Sequence, residues 1–400
     1  MVFLDSAGQE RLERYFDSIG IALGNESRRG SFARYAMGLL GDGERKSVEP
    51  IAARACPDPA RVDAVHQRLL HFTNANWSDV EVRRVAGNYA IAAMTEREPV
   101  VAWILDDTGF LKQGKHSVGV QRQYTGSAGK ITNCQIGVGL AIATETEELP
   151  IDFELYLPES WLDDPKRRSE ARIPDSVRFK TKPELALGMV RRALANGVPP
   201  GVVLADSAYG SSTDFRREIR ELGLHYAVGV MPQTAVFTVP ERVDADSVQI
   251  SVKDFAMKLD GEGAFRRCTW REGTREALTA RFVMKRVFAS SDPRDEVWLL
   301  IEWRDGETEP SNYFFTSLPK ATSIKQMVRV AMQRWRIERT YEDLKGELGL
   351  DHYEGRRFLG WHHHVTVALC CYSFVVAERV RRFPPSAAWP QDAKSKRGAA

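Results

Sequence analysis

The chain has 400 residues, 43% apolar and 28% charged, a composition typical of a soluble globular protein of about two or three structural units. Five cysteines without a CxxC pair or a regular spacing exclude a disulfide framework and a zinc module, and they indicate a reducing compartment. No signal peptide is evident, and the longest apolar run, 365–377, is too short to span a bilayer. We therefore expect a cytoplasmic protein with no membrane partner.

The net charge of +2 does not by itself indicate nucleic acid as a partner. Basic residues are nevertheless clustered at 28–34, in the segment 166–182 and in the tail 379–397. Such clusters are typical of a protein that uses particular faces to bind phosphate, although an ordinary solvated surface explains any single cluster equally well.

Residues 1–95 are predicted to be a helical N-terminal region, because apolar residues recur there with helical spacing between turn-forming sequences. The predicted helices are 5–19, 30–40, 47–55, 59–73 and 78–94. No pattern typical of a DNA-recognition helix is evident in them.

Residues 96–230 are predicted to form the first part of a mixed α/β core. The run 100–105 (VVAWIL) is typical of a central strand buried on both faces, and we expect it to end at Asp106 and Asp107. Buried acids are costly unless they face a cation or hydrogen-bond donors, so these two residues are candidates for a site.

Further strands complete this predicted core. Segments 133–144 and 149–158 predict a hairpin beside the first strand. A capping box opens a helix at 184–195, and the strand 201–206 that follows it ends at Asp206. A strand–helix–strand unit of this kind predicts a mixed sheet. The remaining elements are a helix at 213–222 and a strand at 226–230.

A β-rich insertion is predicted at 231–319, followed by the C-terminal helices of the core at 320–382 and a disordered basic tail at 383–400. The predicted strands of the insertion are 235–239, 248–252, 280–288, 296–304 and 312–318.

The first helix after the insertion is predicted to start at the capping box Ser323–Gln326 and to continue to Glu347. One face of it carries Arg334, Glu338, Tyr341 or Glu342, and Lys345. A solvated ladder of ion pairs is the alternative interpretation of this face. Two acids at strand ends together with Glu338 favour a metal-binding site instead, because three carboxylates are suitable ligands for Mg²⁺ or Mn²⁺. Two such ions stabilise in-line displacement at phosphorus.

Three motifs carry a family resemblance: Asp-x-Thr after one apolar strand (106–108), Asp-x-x-Tyr-Gly after another (206–210), and Arg-x3-Glu-x6-Lys on the later helix (334–345). Over about residues 30–380 the chain resembles bacterial insertion-sequence transposases of the DDE, ribonuclease-H-like superfamily, in the insertion-sequence-four-like clan. The segment 106–135 resembles the insertion-sequence-seven-hundred-and-one branch in particular.

The resemblance implies a ribonuclease-H-like mixed sheet with flanking helices and a catalytic, metal-binding triad of Asp106, Asp206 and Glu338. It implies two Mg²⁺ or Mn²⁺ ions as cofactors, and it places Arg334 and Lys345 at positions that contact DNA. Asp107 is the alternative to Asp106, and strand geometry lets only one of the two face the ions. The clan's Tyr three residues before the Arg is Ala331 here, so either Tyr341 substitutes for it or its role is absent.

The resemblance also implies double-stranded DNA with terminal inverted repeats and target DNA as partners. We expect a homodimer on DNA, bound at the nucleoid of a bacterial cytoplasm, with region 1–95 as a possible binder of DNA ends. The implied function is cut-and-paste transposition through a hairpin intermediate. A catalytically silent DNA-binding regulator and a plain metal-dependent nuclease are the alternatives.

Other polar and aromatic residues are candidates for lesser roles. Arg122 and Lys130 flank a Gly-rich loop and are candidate phosphate contacts, with solvated loop charges as the alternative, and Lys112 and Lys115 in the polar loop before it are further candidate contacts with DNA. Tyr313 and Trp303 in the insertion are candidates for holding an unstacked base. We expect packing or phosphate contact rather than metal binding for the tract His362, His363 and His364, and a core position for Cys134.

Overall fold

The computed structural model describes residues 5–238, 249–272, 277–290, 292 and 294–383. The predicted disordered tail, apart from Phe383, lies outside these residues. The α-helices are α1 (Ser6–Leu23), α2 (Glu26–Leu40), α3 (Val48–Ala55), α4 (Val62–Asn74), α5 (Asp79–Thr95), α6 (Glu159–Leu162), α7 (Pro165–Glu170), α8 (Lys182–Ala195), α9 (Ser207–Gly210), α10 (Thr213–Glu221), α11 (Val252–Gly261), α12 (Ile324–Ala331), α13 (Arg336–Gly346) and α14 (Phe358–Arg382). The strands are β1 (Ala102–Leu111), β2 (Gln121–Thr125), β3 (Lys130–Ala143), β4 (Glu148–Tyr156), β5 (Val202–Ala205), β6 (Tyr226–Gly229), β7 (Ala235–Phe237), β8 (Gln249–Ser251), β9 (Arg266–Glu272), β10 (Ala277–Phe288), β11 (Glu296–Trp303) and β12 (Asn312–Thr316). None of the helices in the described ranges is long and apolar enough to cross a membrane.

The centre of the sheet has the strand order β4-β3-β1-β5-β6. β3 runs antiparallel to β1 and β4, whereas β5 is parallel to β1 and β6 is parallel to β5. This order, in which only β3 runs opposite to the other four strands, is that of the ribonuclease-H-like fold. The predicted fold class is therefore confirmed, and the apolar run at the start of β1 occupies the centre of the sheet as expected.

Of the N-terminal helices, α1, α2, α4 and α5 pack on α14, and α5 also packs directly on β4. Arg11 on α1 donates two hydrogen bonds of 2.7 Å to the carboxylate of Glu378 on α14. The buried Arg83 on α5 donates to Thr366 of α14 at 2.9 Å and lies 3.2 Å from Asp152 of β4. The predicted helical N-terminal region is confirmed, and it is joined to the sheet by buried polar contacts.

The insertion continues the central sheet. β12 pairs antiparallel with β6, and the strands then follow in the order β12-β11-β10-β7-β8, with β9 on β10. The prediction missed β9 and the helix α11. Ser251, inside the predicted strand 248–252, is the N-cap of α11 and accepts a hydrogen bond from Asp254 N. The end of the first predicted strand, Val239, and the start of the second, Val248, lie outside the described residues.

β1 is longer than predicted, because it continues through Asp106 and Asp107 to Leu111. Its antiparallel partner β3 pairs with it as far as Leu111, opposite Cys134. Its parallel partner β5 stops pairing at Ile104. The two acids are therefore inside a strand, yet they lie just beyond the last residue of β1 that β5 covers.

The helix predicted from Ser323 to Glu347 is divided in two. α12 ends at Ala331, a 3-10 turn follows at Met332–Trp335, and α13 starts at Arg336. α12 packs on strands of the insertion, whereas α13 packs on β1 and β4, so the tighter turn between them redirects the chain from one part of the sheet to the other. Arg334 lies in this turn, one turn before Glu338.

Glu148 at the start of β4 is a buried carboxylate, 3.7 Å from Nε of Arg336. Burial raises its pKa to about 7, although Arg336 opposes the shift. The folded protein therefore keeps this proton up to about pH 7, whereas an unfolded chain releases it near pH 4.5. The stability that this group contributes is accordingly lost as the pH rises through that interval.

We expect Glu148→Gln to be more stable than the wild type at pH 8 by about 1–3 kcal/mol, because the amide carries no buried charge. The difference should shrink toward zero as the pH falls to about 4.5. Urea unfolding at a series of pH values checks this, with Glu13→Gln on the exposed side of α1 as the control. Parallel pH profiles for the wild type and Glu148→Gln would contradict it.

Candidate active site

Asp106 and Asp107 extend from opposite faces of β1, as adjacent strand residues do. Oδ2 of Asp106 lies 3.4 Å from Nη1 of Arg334, on the α13 side of the sheet. The carboxylate of Asp107 pairs with Nζ of Lys182 at the start of α8, on the other side. Only Asp106 therefore faces the helix that carries Glu338.

The carboxylate of Asp106 is only partly compensated. Its pKa is raised to about 7, mainly by burial and to a smaller extent by the carboxylates of Asp107 and Asp206, against the opposing effect of Arg334. Burial also raises the pKa of Asp107, which Lys182 opposes. This edge of the sheet thus concentrates more negative charge than its own cations neutralise.

Asp206 directly follows β5 and caps α9, where its Oδ1 accepts a hydrogen bond of 2.9 Å from Ala208 N. Two glycines let the turn approach β6 closely. A Cβ on Gly210 would lie 2.0 Å from the carbonyl oxygen of Gly229, and a Cβ on Gly229 would lie 2.9 Å from Ser207 N. The motif Asp-x-x-Tyr-Gly therefore fixes Asp206 at the same edge as Asp106.

Glu338 lies on α13 with 60% of its side chain exposed. Its Oε1 is 3.3 Å from Nη2 of Arg334, while Nη1 of the same guanidinium faces Asp106. Arg334 therefore bridges the first and third carboxylates of the predicted triad. Its position in the 3-10 turn allows both contacts.

The donor set suits a hard divalent cation, since Asp106, Asp206 and Glu338 offer only carboxylate oxygens. Within the described ranges, however, no three acidic, His or Cys side chains lie close enough together to hold an ion. Asp106 and Asp206 interact electrostatically, whereas Arg334 lies between Asp106 and Glu338. The residues fit a metal site in chemistry, with a guanidinium supplying the positive charge between two of them.

Tyr341 and Lys345 attach α13 to β1. The buried hydroxyl of Tyr341 donates to the backbone carbonyl of Asp106 at 3.2 Å. Gly139 opposite leaves room for it, because a Cβ there would lie 2.6 Å from that hydroxyl. Nζ of Lys345 donates to Thr108 Oγ1 and to the Gly109 carbonyl, each at 2.8 Å. Tyr341 is buried and does not reach the surface where DNA would bind, whereas Lys345 is partly exposed.

The four loop cations have different positions. Lys112 points inward, where Nζ donates to the backbone carbonyls of Asp351 at 3.1 Å and Tyr353 at 2.7 Å. Lys115, Arg122 and Lys130 are exposed. Three of the four predicted phosphate contacts are therefore accessible, and Lys112 instead ties the loop to the segment before α14.

Sequence reasoning missed two residues near these acids. Lys182 pairs with Asp107, although the sequence offered only a position in a basic segment and the capping box of the next helix as signals. Ser127 Oγ lies 3.2 Å from both Thr108 Oγ1 and Lys345 Nζ. Nothing in the pattern around Ser127 indicated that contact.

The minor candidates are mostly buried. Tyr313 and Trp303 are each 4% exposed, so no base reaches either ring in this conformation. Both ring nitrogens of His363 contact backbone carbonyls, and those of His364 contact the Tyr35 hydroxyl and the Gly349 carbonyl. Burial lowers the pKa of each to about 4. These histidines are packing residues, and Cys134 is buried as expected.

Comparison with known proteins gives three similarities. A family model described as DDE superfamily endonuclease matches residues 21–277, more than half of the chain. The matched part includes Asp106 and Asp206 and ends before Glu338. A protein of Microchaete diplosiphon, described as a probable transposase for insertion sequence element IS701, is 28% identical over 213 residues. These residues are 53% of this chain and 51% of that protein, so the chain matches about half the length of this relative.

Among solved structures, the chain is similar to the piggyBac transposase in a synaptic complex with hairpin DNA. The identity is 10% and the TM-score 0.47, over 89% of this chain and 66% of that one.

We expect Arg334→Gln to bind Mn²⁺ about three- to tenfold more tightly than the wild type in the absence of DNA, because a competing positive charge beside two carboxylates is removed. Calorimetric titration measures the affinity. Arg329→Gln is the matched control, because it removes an equal charge from the preceding helix α12, where Arg329 forms an exposed ion pair with Glu145. Equal or weaker binding by Arg334→Gln would show that Arg334 does not compete with a cation.

Proposed function

Because the chain belongs to the DDE superfamily of endonucleases, we propose that it is a DNA transposase that cuts and joins the ends of an insertion sequence by metal-dependent phosphoryl transfer. The observation that carries the proposal is the acidic edge of the sheet. Asp106 and Asp206 lie there together, and Glu338 faces Asp106 across Arg334. The likeness to the IS701 transposase supports the choice of an insertion sequence as substrate.

Asp106, Asp206 and Glu338 are the residues that would hold Mg²⁺ or Mn²⁺, with two ions as the number we propose. When bound, the ions activate a nucleophile and stabilise charge on the attacking and leaving oxygens of a phosphodiester. The nucleophile is water in the first step and the released 3′-hydroxyl in the second. Asp107 has a different role, because its pair with Lys182 holds β1 against α8.

Arg334 and Lys345 are the proposed phosphate contacts. The side chain of Arg334 is 29% exposed and its guanidinium makes long contacts with two carboxylates, so a phosphate is a competitive partner for this planar group. Lys345 lies at the junction of β1, α13 and the β2–β3 turn. The exposed Lys115, Arg122 and Lys130 extend this positive surface away from the acids.

The remaining features of the proposal concern the reaction as a whole. The substrates are double-stranded DNA with terminal inverted repeats and a target DNA, and region 1–95 is the candidate binder of the ends. Two element ends must be processed together, so the active form is a homodimer on DNA. Movement is by cut-and-paste through a hairpin intermediate. Within the chain, 96–230 and 320–382 form the catalytic core, and 231–319 is the insertion.

One observation favours a second candidate, a catalytically silent DNA-binding regulator. Glu338 is largely exposed, and Arg334 separates it from Asp106. Nicking of a duplex that carries the terminal inverted repeat, in the presence of Mg²⁺, distinguishes the two candidates. Transfer of the 3′ end into a second DNA then distinguishes the transposase from a plain nuclease.

We expect Glu338→Gln to lose Mg²⁺-dependent nicking of that duplex by at least about a hundredfold, or about 2.7 kcal/mol of transition-state stabilisation, because an amide is a poor ligand for a hard cation. DNA binding should stay within about twofold of the wild type, because only one surface charge changes. Glu342→Gln, exposed on the same helix, is the matched control and should nick normally. Nicking by Glu338→Gln at the wild-type rate would exclude Glu338 from the site.

A further inference from the structure

Strands β2 and β3 form a hairpin that exposes two large apolar side chains next to each other. Tyr124 on β2 is 63% exposed, and Ile131 on β3 is 61% exposed. The two residues are directly opposite in the antiparallel pairing, so their side chains share one face. Almost all other aromatic rings in the described ranges are buried or half-buried, which makes a water-exposed Tyr–Ile pair an unusual feature of this surface.

The turn of this hairpin is fixed to the candidate active site. It runs from Gly126 to Ala128, and Ser127 Oγ contacts Lys345 Nζ at 3.2 Å and Thr108 Oγ1 at 3.2 Å. Thr108 follows Asp106 by two residues on the same strand, which is about 7 Å along β1. The turn therefore lies within about one nucleotide of the acidic edge, and its bonds hold the hairpin in place.

The charge of the hairpin suits a polyanion. No acidic residue occurs between Asp107 and Glu145, a segment that includes all of β2 and β3. Arg122, two residues before Tyr124 on β2, is exposed and lies on the same face as the Tyr124–Ile131 pair, whereas the exposed Lys130, next to Ile131, extends from the opposite face at the end of the hairpin. Basic residues interleaved with an exposed aromatic ring are the combination by which proteins bind unpaired nucleotides, since the cations meet phosphates and the ring stacks on a base.

We propose that the Tyr124–Ile131 pair is a stacking platform for an unpaired base next to the DNA bond that is cut. This proposal rests on the proposed function. The Tyr124 ring covers one face of the base, Ile131 extends the apolar surface beneath it, and Arg122, on the same face, binds a flanking phosphate. Tyr313 and Trp303 are not available for this purpose because both are buried.

The test measures the affinity of the full chain, without divalent metal, for a duplex bearing the inverted repeat read from the DNA around its coding sequence. Tyr124→Ala should bind about tenfold more weakly than the wild type, and Tyr124→Phe should bind within about twofold of it, because stacking needs the ring and not the hydroxyl. Met257→Ala, which removes an exposed apolar side chain from α11, is the matched control and should bind normally.

A series of duplexes, each with one abasic nucleotide near the cleaved bond, identifies the stacked position. At that position the wild type and Tyr124→Ala should bind equally, because no base remains to stack. A tenfold difference that persists on every abasic duplex, or Tyr124→Phe as weak as Tyr124→Ala, would overturn the platform.

Three outcomes separate this proposal from the proposed function and from a role of the Tyr–Ile pair in self-association. Wild-type nicking of the same duplex in Mg²⁺, together with unchanged binding by Tyr124→Ala, would overturn the platform and leave the proposed function intact. A wild type that neither binds nor nicks the duplex would overturn both. Weaker self-association of Tyr124→Ala in sedimentation, with unchanged DNA binding, would assign the Tyr–Ile pair to a contact between two copies of the chain.

Discussion

The contact on which the site depends is the bridge from Arg334 to Asp106 and Glu338. The sheet edge brings Asp106 close to two other carboxylates in a buried setting, and burial together with repulsion raises the pKa of Asp106 to about 7. Such an edge is stable only with added positive charge. In this structure Arg334 supplies part of that charge, and bound cations would supply it during the proposed reaction.

The backbone explains why the charge collects there. β1 continues along β3 beyond the point where β5 stops, so Asp106 remains in a regular strand while its other side is open to Asp206. α13 is then held over this opening by Tyr341 on the Asp106 carbonyl and by Lys345 on Thr108 and Gly109. The 3-10 turn before α13 directs Arg334 toward the strand. These contacts hold α13, and with it Glu338, in a fixed position relative to Asp106, Thr108 and Gly109 of β1.

Much of the fold could be predicted from the sequence because its central strands are continuous apolar runs and its helices have regular spacing and caps. The end of β1 could not, since Asp106 and Asp107 read as a strand terminus although β3 continues to pair with them. The break at Met332–Trp335 was also hidden, because it depends on which strands α12 and α13 pack against. Helix α11 was missed because its cap followed a strand-like segment.

In the candidate site, too, some features could be predicted from the sequence and others depend on the fold. Alternation along a strand predicts that Asp106 and Asp107 face opposite ways, and the structure adds which one faces α13. The inward direction of Lys112 and the burial of Tyr341 depend on distant parts of the chain, so no local pattern indicates them. The exposure of Tyr124 likewise depends on where the β2–β3 turn is attached. The alternation of side chains along β2 and β3 does not by itself predict that Tyr124 is exposed.

Anomalous diffraction from crystals of the full chain grown with Mn²⁺ and the terminal duplex would test the central assignment most directly. We predict an anomalous peak about 2.1 Å from carboxylate oxygens of both Asp106 and Asp206, with Glu338 completing the ligands and Arg334 moved away from Asp106. A peak on Asp107, or Arg334 still on Asp106 with no peak beside it, would contradict the assignment of this edge as the metal-binding active site.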